Sequence, residues 1–430
     1  MNAPISSRLF ARMEPRLAGL ALLLAASAAD PAMAGAWSKT RTLQATFAAS
    51  SPPDPPILMT NSQGHTVAAW NAVGYISYAE HRKGQPWTRS STVVRGATGN
   101  AVGVAIGPDE TTAIAWTTVA TRYVPSKLLV SVREPGSSFA TPAEIAPGVW
   151  VWYLKLGIAA DGAVTLVWND GGKVYASERP RGGPWSSPLP ISTGAAPSLP
   201  DLAVNAAGAA LAVWQEGALG NPSQITAAYR PAGGAWQAAA PVSTGIGAST
   251  WNPKPGLDAA GNAAVAYLEN SAMMYAYRPA AGTWTAPEAL AATGAGYPAL
   301  AMNAAGDVVA AWQSVDAQGN TQVKARTKLA GAAWTAPLRL SGALETPGWP
   351  SAGFSDDGQA IVGWVNDAGQ TANASVRNPV DASWHRRALG TGWWGSQVPV
   401  SAGGGSLGTG WAMPYLTNPN AATLVGKIFE

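Results

Sequence analysis

The 430-residue chain contains no cysteine, has three histidines and 12% charged residues, and carries no apolar run longer than the roughly 13 residues from Leu17 to Ala29. Each scarcity removes a class of protein. Without cysteine there is no disulfide framework, no thiolate metal site and no cysteine nucleophile, so stability has to come from core burial alone. His65, His81 and His385 fall at three different positions of the repeat described below and show no zinc-ligand spacing, so no metal and no cofactor is expected. With no Lys/Arg cluster, the electrostatic footprint of a nucleic-acid or anionic-membrane binder is missing. The apolar run is shorter than the roughly 20 residues a membrane-spanning helix needs.

What is abundant is glycine and proline, 48 and 34 residues, spread evenly along the chain. That composition disfavours long helices and suits short strands joined by tight turns. Arg8, Arg12 and Arg16 precede the apolar run, and Ala32-Met33-Ala34 follows it with the small-x-small pattern of a signal-peptidase site. Residues 1–34 are therefore expected to be a signal peptide cut near Ala34, and the protein to be secreted or periplasmic. The leader holds three of the 27 basic and two of the 24 acidic side chains, so the remainder is almost neutral, at 24 against 22.

One unit repeats through residues 35–430. It is clearest at Pro298 to Ser341: P-A-L-A-M-N-A-A-G-D-V-V-A-A-W, a polar loop, T-Q-V-K-A-R, then G-A-A-W-T-A-P-L-R-L-S. Apolar or alternating runs flank turns in which glycine can take positive φ, giving four strands per unit. An aromatic ends the second strand of each unit, at Trp70, Trp116, Trp168, Trp214, Tyr267, Trp312, Trp364 and Trp411, with spacings of 45 to 53 residues. The eight units start near residues 54, 99, 151, 197, 251, 296, 348 and 395. A second aromatic, taken to begin strand 4, recurs at Trp87, Phe139, Trp185, Trp236, Trp284, Trp334 and Trp384, seven times in all, and the last unit stops after its third strand. The missing strand is at the other end, where Gly35-Ala36-Trp37-Ser38 reads like G-A-A-W-T, so residues 36–45 should complete the eighth unit. The expected fold is all-β, one eight-bladed β-propeller of four antiparallel strands per blade, monomeric, its free edges removed by that closure.

Strand 3 ends in a cation in every unit, at Arg82, Arg133, Arg179, Arg230, Arg278, Arg326, Arg377 and Lys427, which marks it as a scaffold part expected to stack on a neighbouring aromatic. Tandem units with a D/N-x-x-G turn and a closing Trp resemble the secreted bacterial propellers of the sialidase-like and propeller-lectin groups, over residues 36–430 and at the level of architecture. The sialidase Asp-box S-x-D-x-G-x-T-W has no counterpart; Ser355-Asp356-Asp357-Gly358 has the wrong spacing and lacks the T-W. No catalytic residue is carried over from the resemblance.

Two short motifs are excluded by their setting. Gly404-Gly405-Ser406-Leu407-Gly408 matches G-x-S-x-G but belongs to a hairpin, and Gly390-Thr391-Gly392-Trp393-Trp394-Gly395 matches G-x-G-x-x-G with no helix after it. Asp170, Glu216, Glu269, Asp316 and Asp367 lie in or beside the loops between strands 2 and 3, where two could face each other as glycosidase carboxylates do. Those loops are longer in even blades, and Tyr123 and Tyr415 sit in two of them. The most informative residues are the tryptophans outside the repeat: Trp150, Trp152, Trp251, Trp349, Trp393 and Trp394, with Tyr153 and Tyr297 at corresponding places. All lie where strand 4 of one blade leads to strand 1 of the next, so they should gather at one mouth of the central channel. An aromatic-lined mouth suits a glycan or another flat extracellular ligand. The alternatives are a propeller glycoside hydrolase or polysaccharide lyase acting through the loop carboxylates, and a structural or protein-binding ring of the cell envelope.

Overall fold

A computed structural model describes residues 35–48, 55–72, 74–95, 99–118, 126–147, 151, 153–194, 196–217, 223–244, 249–367, 370–392, 397–415 and 418–430. It is an eight-bladed β-propeller, eight antiparallel sheets of four strands each with no helix among the described residues. The innermost strands of blades 1 to 8 are Ile57–Thr60, Gly99–Ile106, Leu154–Ile158, Ser198–Val204, Thr250–Leu257, Ala295–Met302, Pro347–Phe354 and Val400–Gly403. In each blade the chain then steps outward by hairpins. In blade 6, Asn303 closes the first of these, its Oδ1 accepting from the Asp307 amide, with Gly306 at φ 88°.

Closure falls where the sequence places it. The last blade runs from Val400–Gly403 outward to Asn418–Phe429, and its fourth strand is the N-terminal segment Arg41–Ala48, paired antiparallel with Arg41 opposite Gly426 and Thr42 opposite Val425. Before that strand, Ala36 N–H donates to the Glu430 carbonyl at 2.6 Å, Ser38 N–H donates to the Ile428 carbonyl, and Trp37 meets Phe429 edge-on with ring centroids 5.4 Å apart.

Neighbouring blades are joined by the second-strand aromatics. Each of the eight is 0 to 2% exposed. Trp116 of blade 2 packs with Val67, Ala69 and Ile76 of blade 1, and Trp312 of blade 6 with Ala264, Ala266 and Met273 of blade 5. The ring closes by the same contact, with Trp70 of blade 1 packed on Ala412, Leu424 and Ile428 of blade 8. The strand-3 cations form a second, outer set of links. Arg133 pairs with Glu80, Arg179 with Glu134 at 2.8 Å and Arg230 with Glu178, each reaching back to the preceding blade, while Arg82 reaches forward to Glu110. The expected stacking accompanies these links: Arg133 lies over Phe139 at 5.1 Å, Arg230 over Trp236 at 5.7 Å, Arg278 over Tyr229 at 4.3 Å and Lys427 over Trp37 at 6.0 Å.

The fourth strands differ from the reading of the repeat. In blades 1 to 6 the repeated aromatic precedes the paired segment instead of starting it. In blades 3, 4 and 6 that segment is two residues long, Leu189–Pro190, Ala240–Pro241 and Leu338–Arg339. Behind Trp334, Thr335 makes one ladder bond to Thr327 before Pro337, which has no N–H to donate, interrupts the ladder. In blade 7 Trp384 does begin the strand Trp384–Thr391.

Two outcomes test this account. Trp312→Ala should cost about 3 to 5 kcal/mol, as a large-to-small change in a filled core, and lower the denaturant midpoint accordingly. Deleting residues 35–48 should unpair the Asn418–Phe429 strand and make the protein associate on sizing columns. Acid should loosen blade 1 from both of its neighbours, blade 8 at His81 and blade 2 at Glu80. Burial holds the His81 imidazole below its usual range despite Glu430 at 3.7 Å, so the unfolded chain takes up the proton first. Burial alone would raise the Glu80 carboxyl, but His65 and Arg133 outweigh it and bring it down to about 2. Both groups stabilise the fold at neutral pH. His81 withdraws that support as pH falls below about 6.5 and Glu80 below about 4.5, so thermal melts should show stability declining from pH 7 to 4, with a shallower first step in His81→Gln.

Candidate functional site

The inner strands present non-repeated residues to the channel at two successive levels. The deeper level is defined by register, as the residue paired with the position just before each second-strand aromatic. In blades 3, 4 and 5 it holds Lys155 (opposite Val167), Asp201 (opposite Val213) and Lys254 (opposite Ala266). In the other blades the same level carries Ile57, Gly103, Ala299, Ser351 and, by its bond from the Gly410 amide, Pro399. Asp201 lies between its neighbours, Oδ2 accepting from Lys254 Nζ at 3.1 Å and Oδ1 standing 3.4 Å from Lys155 Nζ. Burial would raise the Asp201 carboxyl, yet the two ammonium groups hold it below the usual carboxylate range. Burial and the nearby Lys155 charge lower Lys254, with Asp201 opposing.

At the upper level, two positions earlier, blades 4 to 7 share a backbone device. Their inner strands carry a β-bulge between Ser198 and Asp201, Trp251 and Lys254, Gly296 and Ala299, and Gly348 and Ser351. Within each bulge a non-glycine residue adopts the left-handed region, Leu199 at φ 51°, Asn252 at 56°, Tyr297 at 48° and Trp349 at 40°, and each is followed by proline. The proline lacks an N–H, so a ladder break there loses no donor. Holding Leu, Tyr or Trp in this region costs about 1 to 2 kcal/mol per residue. Such bulges re-aim side chains and gather beside functional sites.

Here they assemble an arc of rings across blades 5 to 7. Trp251 meets Tyr297 at 5.5 Å and 68°, and Tyr297 meets Trp349 at 5.5 Å and 64°, both edge-to-face. The arc and the Lys155–Asp201–Lys254 row line one cavity of about 550 Å³, together with Tyr153, Asn252, Ser351 and Gln397. A neighbouring cavity of about 410 Å³ shares Tyr153, Lys155 and Asp201 with it, and a third of about 360 Å³ is lined farther down by inner strands of all eight blades. Tyr153 is 43% exposed and the three ring residues of the arc are half-buried, so they line the mouth.

Of the eight aromatics singled out in the sequence, Trp150, Trp152, Trp393 and Trp394 lie outside the described residues, as does Tyr123. Tyr153, Trp251, Tyr297 and Trp349 come together in one cavity. Their equivalence needs correction. Tyr297 and Trp349 occupy the bulge itself, whereas Trp251 is one residue earlier, where Asn252 holds the bulge, and lies opposite Leu268 as Tyr153 of the unbulged blade 3 lies opposite Asn169. Trp251 also packs against the cluster containing Leu290, Ala295 and Trp312, so it buttresses the arc from the core side.

The loop carboxylates do not line the mouth cavity, and three of them bond within their own blades. Asp170 accepts from the Gly172 and Lys173 amides, Glu216 from Trp214 Nε1 at 2.5 Å, and Asp316 from Asn320 and Gln322. Burial raises the Glu216 carboxyl, partly offset by that indole bond. The Glu269 backbone is paired across its hairpins with Thr250 and Ala272 while its Oε2 is buried without a hydrogen-bond partner among the described residues, and the Asp367 main-chain carbonyl closes a turn with Gln370. Ser406 is in the hairpin of blade 8, its Oγ donating to Glu430. Reading the sequence for aromatics missed the charged row. Its signal was available: Lys155, Asp201 and Lys254 each stand seven residues before the turn glycine of their blade, Gly162, Gly208 and Gly261, where the repeat has Ile57 and Ala299.

Since five blades do without charge at this level, the row is not a scaffold requirement. Replacing it whole (Lys155→Ile, Asp201→Ala, Lys254→Ala) should leave the melting temperature unchanged or raised. Asp201→Ala alone should cost about 1 to 3 kcal/mol by leaving two half-buried ammonium groups without a counter-charge.

No protein-family model and no curated protein sequence matches the chain. Among solved structures it is similar in fold to the Dos1 propeller, at 8% identity with TM-score 0.53, covering 90% of this chain and 94% of that one. Weaker likenesses are to the polysaccharide lyase Uly1 (11% identity, TM-score 0.48, 87% and 90% covered) and to the fucose-specific lectin from Aleuria aurantia (12%, 0.42, 68% and 97%).

Proposed function

We propose that this protein is exported and binds a saccharide at the channel mouth, with the sugar ring laid on the arc of Tyr297 and Trp349. The observation that carries this reading is the arc itself: rings brought together by strained bulges in a cavity of about 550 Å³, at positions where other blades carry Pro55 or Leu199. A core residue would recur with the repeat, as the eight second-strand aromatics do. A sugar offers an apolar C–H face that packs on an aromatic ring, and hydroxyls for flanking polar groups, here Asn252, Ser351 and Gln397. The volume suits one to a few sugar rings. The leader-like segment before Gly35 agrees with an extracellular ligand.

A glycan array probed with the protein should return saccharide hits. Trp349→Ala and Tyr297→Ala should weaken binding to them by about thirtyfold or more, the effect of removing a central aromatic worth about 2 kcal/mol, with melting temperatures close to that of the parent. No saccharide binding by the folded protein, or undiminished binding in both variants, would refute the assignment.

A further inference from the structure

The mouth cavity has two unlike walls. Blades 5 to 7 supply the aromatic arc, and blades 3 to 5 supply Lys155, Asp201 and Lys254. The residues lining the cavity hold two ammonium groups and one carboxylate, so the site carries one positive charge in excess. Each ammonium has three N–H donors, and Asp201 takes one of them, from Lys254, while it stands 3.4 Å from Lys155 and also accepts from the Leu202 amide. Lys155 and Lys254 are 43% and 29% exposed at their side chains, so both can be reached from the channel.

This arrangement is poorly explained as support for the fold. Taking three charges partly out of water costs more than an apolar side chain would, and the same chain fills the same level elsewhere with Ile57, Ala299 and Ser351. The row is also confined to adjacent blades beside the arc, where one ligand can touch both walls. Asp201 is held ionised by its neighbours, and it in turn opposes the effect of burial on Lys254 and holds that side chain in place by their hydrogen bond.

We propose that the ligand is an acidic saccharide, its carboxylate or sulfate group seated against Lys155 and Lys254 while its ring lies on the aromatic arc. This deepens the saccharide reading above and depends on it. Both anionic groups would satisfy the two ammoniums, and a Lys pair, as point charges, does not require the planar geometry that an Arg fork would impose.

The test is to titrate the protein with matched pairs: oligogalacturonate against its methyl ester, and a sulfated galactan oligosaccharide against its desulfated form. The acidic member of at least one pair should bind about tenfold or more tighter than its neutral twin, as expected for a hydrogen bond to a charged group. That preference should shrink as salt is raised, and Lys155→Gln should reduce it to about threefold or less. Lys155→Gln keeps the Asp201–Lys254 pair, so its fold is expected to survive, and the comparison of twins on the parent protein needs no variant at all. The pair that discriminates tells carboxylate from sulfate recognition. Equal binding of both twins, or neither acidic probe bound while neutral saccharides bind on the array, overturns this inference and leaves the saccharide reading standing. No saccharide bound at all removes both.

Discussion

Every blade buries its second-strand aromatic against the face of the blade before it, and this one contact fixes how the rest of the molecule is organised. A single four-stranded sheet of this composition has two apolar faces and no partner within itself. Trp116 needs blade 1, Trp312 needs blade 5, and Trp70 needs blade 8. The first blade can be completed only if the last is in place, so the array has to close. Splitting the eighth blade between the two ends of the chain, with Arg41–Ala48 pairing onto Asn418–Phe429, ties that closure with backbone hydrogen bonds as well as packing. Cysteine is unnecessary for such a chain because the ring itself supplies the long-range constraint.

Because stability is concentrated between blades, the inner strands are left free to vary at their channel ends. Their register is held by the hairpin to the second strand, and apart from Trp251 the aromatics and charges at the mouth are not members of the interblade core clusters described above. There the chain tolerates bulges, left-handed Leu, Tyr and Trp residues, and a row of charges. Each would be a defect in the body of a blade. At the mouth the local cost is modest against the burial of eight fully enclosed aromatics, which is why function-specific residues can accumulate at that end of the ring.

The fold was legible in the sequence because its determinants recur. Eight aromatics at near-constant spacing, a glycine turn in each unit and a stray G-A-W-S segment at the wrong end were enough to infer the number of blades, their closure and the closing strand. The short fourth strands were not legible in the same way: Trp185, Trp284 and Trp334 mark the approach to the strand, and Pro188, Pro287 and Pro337 delay its pairing. The site was half legible. Counting aromatics that do not repeat found Tyr297 and Trp349, but that these rings sit inside a bulge while Trp251 sits before one is a matter of backbone register, marked in sequence only by Asn252 standing between Trp251 and its proline. Lys155, Asp201 and Lys254 were overlooked because each alone is an ordinary strand residue. They become a row only when adjacent blades are aligned by register and set side by side.

That alignment is what gives the internal repeat its value as a control. In most proteins the question of whether a half-buried charge serves stability or function has to be put to relatives, and here eight versions of the same position stand in one chain. Ile57, Gly103, Ala299, Ser351 and Pro399 show what the scaffold accepts at the deeper level, and none of them is ionised. The departure in blades 3 to 5 is the observation on which the proposed acidic ligand rests. The same reasoning applied one level up, with Pro55 and Leu199 against Tyr297 and Trp349, points to the same cavity from its other wall. Two independent departures from the repeat, one aromatic and one ionic, meet in a single cavity, and a ligand with an apolar face and an acidic group is the simplest object that would need both.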